Sequence, residues 1–148
     1  MSSGERDALT GLITMALVFV LFVWRLSGQH QAGLFDGPQA LQTWARSVLI
    51  LVAWSIGIAI AVAVAFHILY TSLTGERTDD RRDERDRDID RRALTGAWYL
   101  LSFGLLGVIV DLALGASAFR AMNLVLALCA GSEFFKDAAK LVLYRRDA

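Results

Sequence analysis

The sequence has few of the residues that stabilise or activate small soluble proteins: one cysteine and one proline among 148 residues. With the single thiol of Cys129, no intramolecular disulfide can form. The chain also shows no glycine-rich phosphate loop, no cluster of metal-ligating side chains and no nucleophile spaced beside a base. We therefore expect a protein that is not an enzyme and that binds no cofactor and no metal.

The residues that are abundant are apolar: 55% are hydrophobic, and the mean hydropathy is +0.47. They form four runs, Leu9 to Leu26, Val48 to Leu73, Ala93 to Leu114 and Ala121 to Tyr144. Each run has roughly the 20 residues that a helix needs to cross a hydrocarbon layer of about 30 Å. The sequence predicts an all-α, integral membrane four-helix bundle that forms one transmembrane domain over residues 1–148.

Arginines are distributed unevenly around these runs. One side carries Arg6, Arg145, Arg146 and the seven arginines of residues 76–92, and the other carries Arg25, Arg46 and Arg120. Because basic segments are retained in the cytoplasm, this excess predicts that both termini are cytoplasmic. The protein is then expected in the cytoplasmic (inner) membrane as a multi-pass protein. Trp24 and Trp44 are expected at the outer membrane interface.

The second half of the chain resembles the first. Ala8-Leu9-Thr10-Gly11 at the start of the first run recurs as Ala93-Leu94-Thr95-Gly96 at the start of the third. The second and fourth runs align without a gap, with matches of Arg46 to Arg120, Ala53 to Ala127, Gly57 to Gly131, Ala65 to Ala139, and Leu69-Tyr70 to Leu143-Tyr144. The pattern predicts two duplicated helical hairpins, residues 1–75 and 93–148, related by an axis along the membrane normal. The alternative is that apolar helices align by chance.

Small residues recur at every fourth position of the second run. They are Ala53, Gly57, Ala61 and Ala65, and the fourth run keeps Gly131 at the position matching Gly57. Such a stripe lets a second helix backbone approach closely in lipid. We expect these two helices to be central to the bundle, or one of them to contact a second copy. The implied partners are membrane lipid and other membrane subunits or a homo-oligomer.

The segment 76–92 between the hairpins combines seven arginines with eight acidic residues. This balance argues against nucleic-acid binding. Acid-to-arginine spacings of three and four, such as Asp83 to Arg87 and Asp88 to Arg92, favour a helix that begins before the membrane. Two interpretations remain open, a solvated helical extension and a docking surface for a protein or for lipid headgroups.

Within this segment, Asp83-Glu84-Arg85-Asp86 is followed by Ile89 and then by the third apolar run. This motif resembles that of an uncharacterised family of small multi-span prokaryotic membrane proteins. The resemblance covers residues 83–106 and implies a multi-span membrane protein without bringing a known activity.

The fourth run carries four charges, Glu133, Lys136, Asp137 and Lys140, which we call the charged stripe. Each charge at the bilayer centre costs about 2.5 to 3.5 kcal/mol, so the stripe is expected to face protein or water. The spacing of three and four allows the side chains to pair along one helix face. One interpretation is an ion-pair ladder that fixes helix packing or meets a partner. The other is a proton or ion route in which Glu133 exchanges a proton.

Arg25 and Asp111 are the other charges within the apolar runs, and they lie at a similar depth. An ion pair between the two hairpins is expected, with independent contact to the lipid headgroups as the alternative. His67 is a lone histidine of the second run, and His30 lies across the bilayer from it. Only two copies of His67 in an oligomer could supply paired haem ligands, and a packing role is more typical.

These features favour a non-catalytic membrane protein that acts as a packing or accessory component of a membrane assembly. The equal numbers of acids and bases in the charged stripe need no mobile ion to balance them. The alternative is a small proton- or ion-conducting channel or carrier that uses the charged stripe. Such a channel is expected to be an oligomer, because four helices leave little room for a pore.

Overall fold

A computed structural model describes residues 3–74 and 84–146. The described chain folds into four α-helices, α1 (Ser3–Gln31), α2 (Ala40–Thr74), α3 (Glu84–Ala113) and α4 (Ala118–Arg146). All four are long and apolar enough to cross a membrane. The predicted all-helical class is thus confirmed for the described residues, and the four helices are compatible with a multi-pass integral membrane protein.

The helices lie in the spatial order α3, α4, α1, α2. Helix α4 packs along both α3 and α1, whereas α2 packs along α1 and touches α4 only briefly. Within residues 3–74 and 84–146, α2 and α3 do not pack along each other, so the bundle is open between them. We call the end with the first turn of α1 and the last turn of α4 the termini end. The opposite end, which holds the connections at residues 32–39 and 114–117, is the connection end.

Close packing between the helices depends on small residues. Ala8 and Ala93 are each only 1% exposed. Gly104 of α3 lies against Leu128 of α4, where a Cβ would stand 2.9 Å from one methyl carbon. Large apolar side chains instead point outward, as Phe103 does with 70% exposure. This distribution suits lipid, in which apolar surface needs no burial and helices associate through close backbone approach.

The two connections begin in the same way. The Gly33 amide donates to the His30 carbonyl and the Leu34 amide to the Gln29 carbonyl, at 3.0 and 3.1 Å. Gly115 and Ala116 repeat this pattern at the end of α3. Both glycines have positive φ, 71° and 95°, which is the backbone conformation that this helix cap requires. The equivalent caps turn α1 and α3 into their following helices.

An aromatic cluster holds the connection end together. Phe35 of the first connection packs on Phe119 of α4 with 5.7 Å between the ring centroids. Trp44 packs on the same Phe119 ring with 6.2 Å between the centroids. The Trp44 indole N–H donates to the side-chain oxygen of Asn123 at 3.1 Å. Trp44 is 4% exposed and Trp24 is 70% exposed. Of the two tryptophans predicted at the interface, Trp44 is therefore an internal packing residue, because Phe119 and Asn123 offer it a stacking surface and an acceptor.

The charged segment is helical where the structure describes it. Helix α3 begins at Glu84, and Asp88 pairs with Arg92 at 2.7 Å, as the spacing of four predicts. Asp83, the predicted partner of Arg87, lies outside the described residues, as does the start of the charged segment. The described part extends the third span by about two turns beyond its apolar run.

Candidate functional site

The side chains of the charged stripe contact residues of three helices, α4 itself, α3 and α1. Glu133 and Lys136 contact each other along α4. Lys140 reaches across to α3, where its Nζ lies 2.8 Å from Oδ1 of Asp90. Asp137 turns the other way and packs against the backbone of Gly11 in α1. The structure thus places Asp137 and Lys140 between α4 and its two neighbours, whereas Glu133 is exposed.

The charges along this surface alternate in sign. Asp137 interacts electrostatically with both Lys136 and Lys140. From the middle of α4 toward α3, the charged residues therefore follow one another as Glu133, Lys136, Asp137, Lys140 and Asp90. The lysine side chains are 22% and 18% exposed, whereas Glu133 is 58% exposed. The series therefore starts at an open carboxylate on the middle of α4 and ends between α3 and α4 near the termini end.

Sequence reasoning missed Asp90 as the partner of Lys140. No signal for this partner was present in the sequence, because the buried face of α3, with Asp86, Ile89, Ala93 and Ala97, is known only once the helices are packed. Their spacing of three and four marks the face that α3 turns toward α4. Asp90 lies next to that face and is close to the lysine once the helices pack.

A second polar group lies at the termini end. The Tyr144 hydroxyl donates to Oδ1 of Asp86 at 2.9 Å, and the Arg85 guanidinium donates to the Tyr144 carbonyl at 3.4 Å. Asp86 and Tyr144 are 8% and 5% exposed. Tyr70, which the sequence alignment matches to Tyr144, instead carries the Arg6 guanidinium over its ring, 4.3 Å from the ring centroid. Each hairpin thus ends in a tyrosine that fastens the start of another helix, with different chemistry in the two cases.

Arg25 and Asp111 are not brought together. Asp111 forms an ion pair with Arg120, whose Nε lies 3.0 Å from Oδ2, although the N–H is not aligned for a hydrogen bond. The pairing is local because Arg120 lies in the first turn of α4, one short connection away from Asp111. Arg25 is exposed, and within residues 3–74 and 84–146 it makes no ion pair.

The small-residue stripe of α2 is uncovered in the single chain. Ala53, Gly57, Ala61 and Ala65 are all exposed, and so is Gly131 of α4. A Cβ added at either of the two glycines would meet nothing within 4 Å. Helix α4 is the central helix of the bundle, whereas α2 lies at its edge. The exposed stripe therefore offers a surface on which a further helix could pack closely.

A groove of about 660 Å³ runs between α1, α2 and α4. Phe19, Phe22 and Leu126 are among its apolar lining, Asn123 lies at its connection end, and Glu133 closes it at mid-height. His67 lies on the exposed surface of α2. Among the residues that the structure describes, no three histidine, cysteine or acidic side chains cluster as metal ligands.

Comparison with protein-family models, with curated proteins and with solved structures finds no match to this chain.

Proposed function

We propose that this chain is a non-catalytic membrane protein that serves as a packing or accessory component of a larger membrane assembly. The supporting observation is the position of α2. This helix of 35 residues packs fully along only one neighbour, and its stripe of small residues faces outward. A second helix laid against that stripe would gain the close contact that drives helix association in lipid.

The internal contacts of the charged stripe support the same proposal. Lys136 and Lys140 both have acidic partners within the chain, and Asp137 fits a glycine notch of α1. Paired charges of this kind hold helices in register, whereas an unpaired charge in the membrane costs several kcal/mol. The charged stripe then functions as an ion-pair ladder that fixes the faces α4 shows to α1 and α3.

We also propose that the termini end is cytoplasmic and that the two helical hairpins arose by duplication. The arginines of residues 76–92 favour a cytoplasmic location for the termini end, in the cytoplasmic membrane. The duplication is supported by the matching Ala-Leu-Thr-Gly segments of α1 and α3. Thr10 and Thr95 also make the same hydrogen bond to the carbonyl four residues earlier, at 2.9 and 2.8 Å.

The test is the mass of the purified protein in mild detergent. We expect a complex heavier than the single chain of 16.3 kDa, made either of several copies or of this chain with other membrane subunits. Ala61→Phe fills the small-residue stripe and should release the monomer. Ala63→Phe is the matched control, because Ala63 is also an exposed alanine of α2 but lies outside the stripe. A wild-type protein that stays monomeric in lipid nanodiscs would contradict the proposal.

The second candidate is a proton or ion carrier. It is favoured by one observation: the alternating charges lead from Glu133, which opens on the 660 Å³ groove, toward the termini end. An acidic group that opens on a groove inside a membrane protein is a typical proton-exchange site. A flux through sealed vesicles that requires Glu133 would favour this candidate over the accessory role.

A further inference from the structure

Two neighbouring cavities near the connection end lie apart from the charged stripe. The larger, of about 470 Å³, is a groove between α1 and α2, and the smaller, of about 320 Å³, lies beside the first connection. Trp24, Arg25 and Gln29 line both cavities. These three side chains therefore form the border between a groove that descends along the helices and a shallow pocket at the bundle end.

The groove changes from polar to apolar along its length. Arg25, Gln29 and Ser47 lie toward the connection end, and Leu21 and Ile58 lie at the deeper end. From Ser47 to Ile58 the helix rises by about 16 Å, at 1.5 Å per residue. A groove of this length, with a polar opening and an apolar deeper part, fits an amphiphile that lies parallel to the helices.

Arg25 gives the polar end its charge. Unlike Arg120 at the same end, which pairs with Asp111, Arg25 has no ion pair in the parts of the chain that the structure describes. A guanidinium presents its donors in a planar fork that matches two oxygens of a phosphate.

We propose that these cavities form a phospholipid site. The phosphodiester binds Arg25, one acyl chain lies in the α1–α2 groove, and the outer part of the headgroup occupies the smaller cavity. A free anion would make no use of the apolar groove. A transmembrane helix is a poor fit, because large side chains such as Trp54 and Ile50 line the groove, and close helix approach requires small ones. The site is independent of the assembly proposed above.

The experiment measures lipid binding by the full chain. Protein purified in a neutral detergent is titrated with dioleoyl phosphatidylglycerol, and bound lipid is counted by native mass spectrometry. The variant Arg25→Gln should bind the lipid about tenfold or more weakly than the wild type, because it loses a charge-assisted contact to the phosphate. Arg46→Gln is the matched control, since Arg46 is an exposed arginine of the same bundle end that lines neither cavity. We expect this control to bind as the wild type does.

Three results would overturn the proposal. The first is an equal loss of affinity in the two arginine variants, which indicates attraction to surface charge alone. The second is displacement of the lipid by inorganic phosphate at similar concentration, which indicates an anion site without an acyl groove. The third comes from Ile58→Trp, which fills the deep end and keeps Arg25: unchanged affinity for the dioleoyl lipid would exclude the groove as the acyl site. We expect this variant to weaken dioleoyl binding but not binding of the short dihexanoyl lipid.

Discussion

The carboxylate of Asp137 on α4 lies directly against the backbone of Gly11 on α1. A Cβ at position 11 would stand 2.9 Å from the Asp137 carboxyl carbon, which is inside van der Waals contact. A Cβ at Gly96, which the sequence alignment matches to Gly11, would likewise stand 2.9 Å from a ring carbon of Phe135. Helix α4 thus packs against the Ala-Leu-Thr-Gly segment of α1 on one side and against that of α3 on the other.

Gly11→Ala is expected to destabilise the bundle, because overpacking of the α1–α4 contact costs about 1–3 kcal/mol and the helix preference of alanine returns only about 0.5–1 kcal/mol. Thermal unfolding in detergent measures the effect. The matched control is Gly107→Ala in α3, where a Cβ would meet nothing within 4 Å and alanine should favour the helix by about 0.5–1 kcal/mol. Equal melting temperatures for the two variants would contradict the tight contact at Gly11.

Tyr144→Phe should destabilise the termini end by about 1–3 kcal/mol, since Asp86 is buried and loses the hydroxyl that donates to it. Tyr99→Phe is the control, because Tyr99 is 59% exposed on α3 and its loss should change stability by no more than about 0.5 kcal/mol. Proteolysis of the region before α3 gives an independent measurement, with faster cleavage expected in the first variant. Similar cleavage in both variants would show that the bond does not fasten α3.

Trp44→Phe tests the aromatic cluster at the connection end. The variant keeps most of the stacking on Phe119 but leaves the oxygen of Asn123 without its indole donor, so a loss of about 1–3 kcal/mol is expected. Trp98→Phe, at a position 69% exposed, should have little effect. Thermal unfolding measures both variants, and a neutral Trp44→Phe would show that the indole hydrogen bond to Asn123 contributes little to stability.

Glu133→Gln separates the two functional candidates. If the charged stripe is an ion-pair ladder, the variant leaves Lys136 with a weaker partner and lowers the melting temperature or the yield of the assembly. If Glu133 exchanges protons or ions, the amide should preserve folding while a wild-type flux in sealed vesicles disappears. We expect lost stability and no wild-type flux, measured on the same preparation. A robust flux that vanishes in a well-folded variant would replace the accessory role by transport.

The orientation is tested with single cysteines in a Cys129→Ser background. Asp36 and Arg87 are both exposed, one in the first connection and one near the start of α3. A membrane-impermeant maleimide added to intact cells should label Asp36→Cys at once and Arg87→Cys only after the cells are opened. The reverse order would show that the basic segment is outside, against the distribution of arginines.

Some of the candidate site was readable from residue spacing. The charged stripe and the helical start of α3 follow from positions three and four apart on one helix face, whereas Glu133 of the stripe is exposed and does not lie against protein. The partners across helices were not readable, because they depend on which faces meet. Lys140 lies against Asp90, and Asp111 pairs with Arg120 while Arg25 lines a cavity.

By itself the sequence determined the number and type of the helices but not their ends, since α2, for example, begins at Ala40 and not at Val48. In lipid there is no water to bond the backbone N–H and C=O groups, so an apolar run that crosses the membrane satisfies them within itself by forming a helix. Only the tertiary structure decided that α4 is central, that α2 lies at the edge and that Trp44 is internal. Hydropathy cannot decide this, since lipid solvates all apolar faces equally and helix pairing depends on local notches such as Gly11, Gly96 and Gly104.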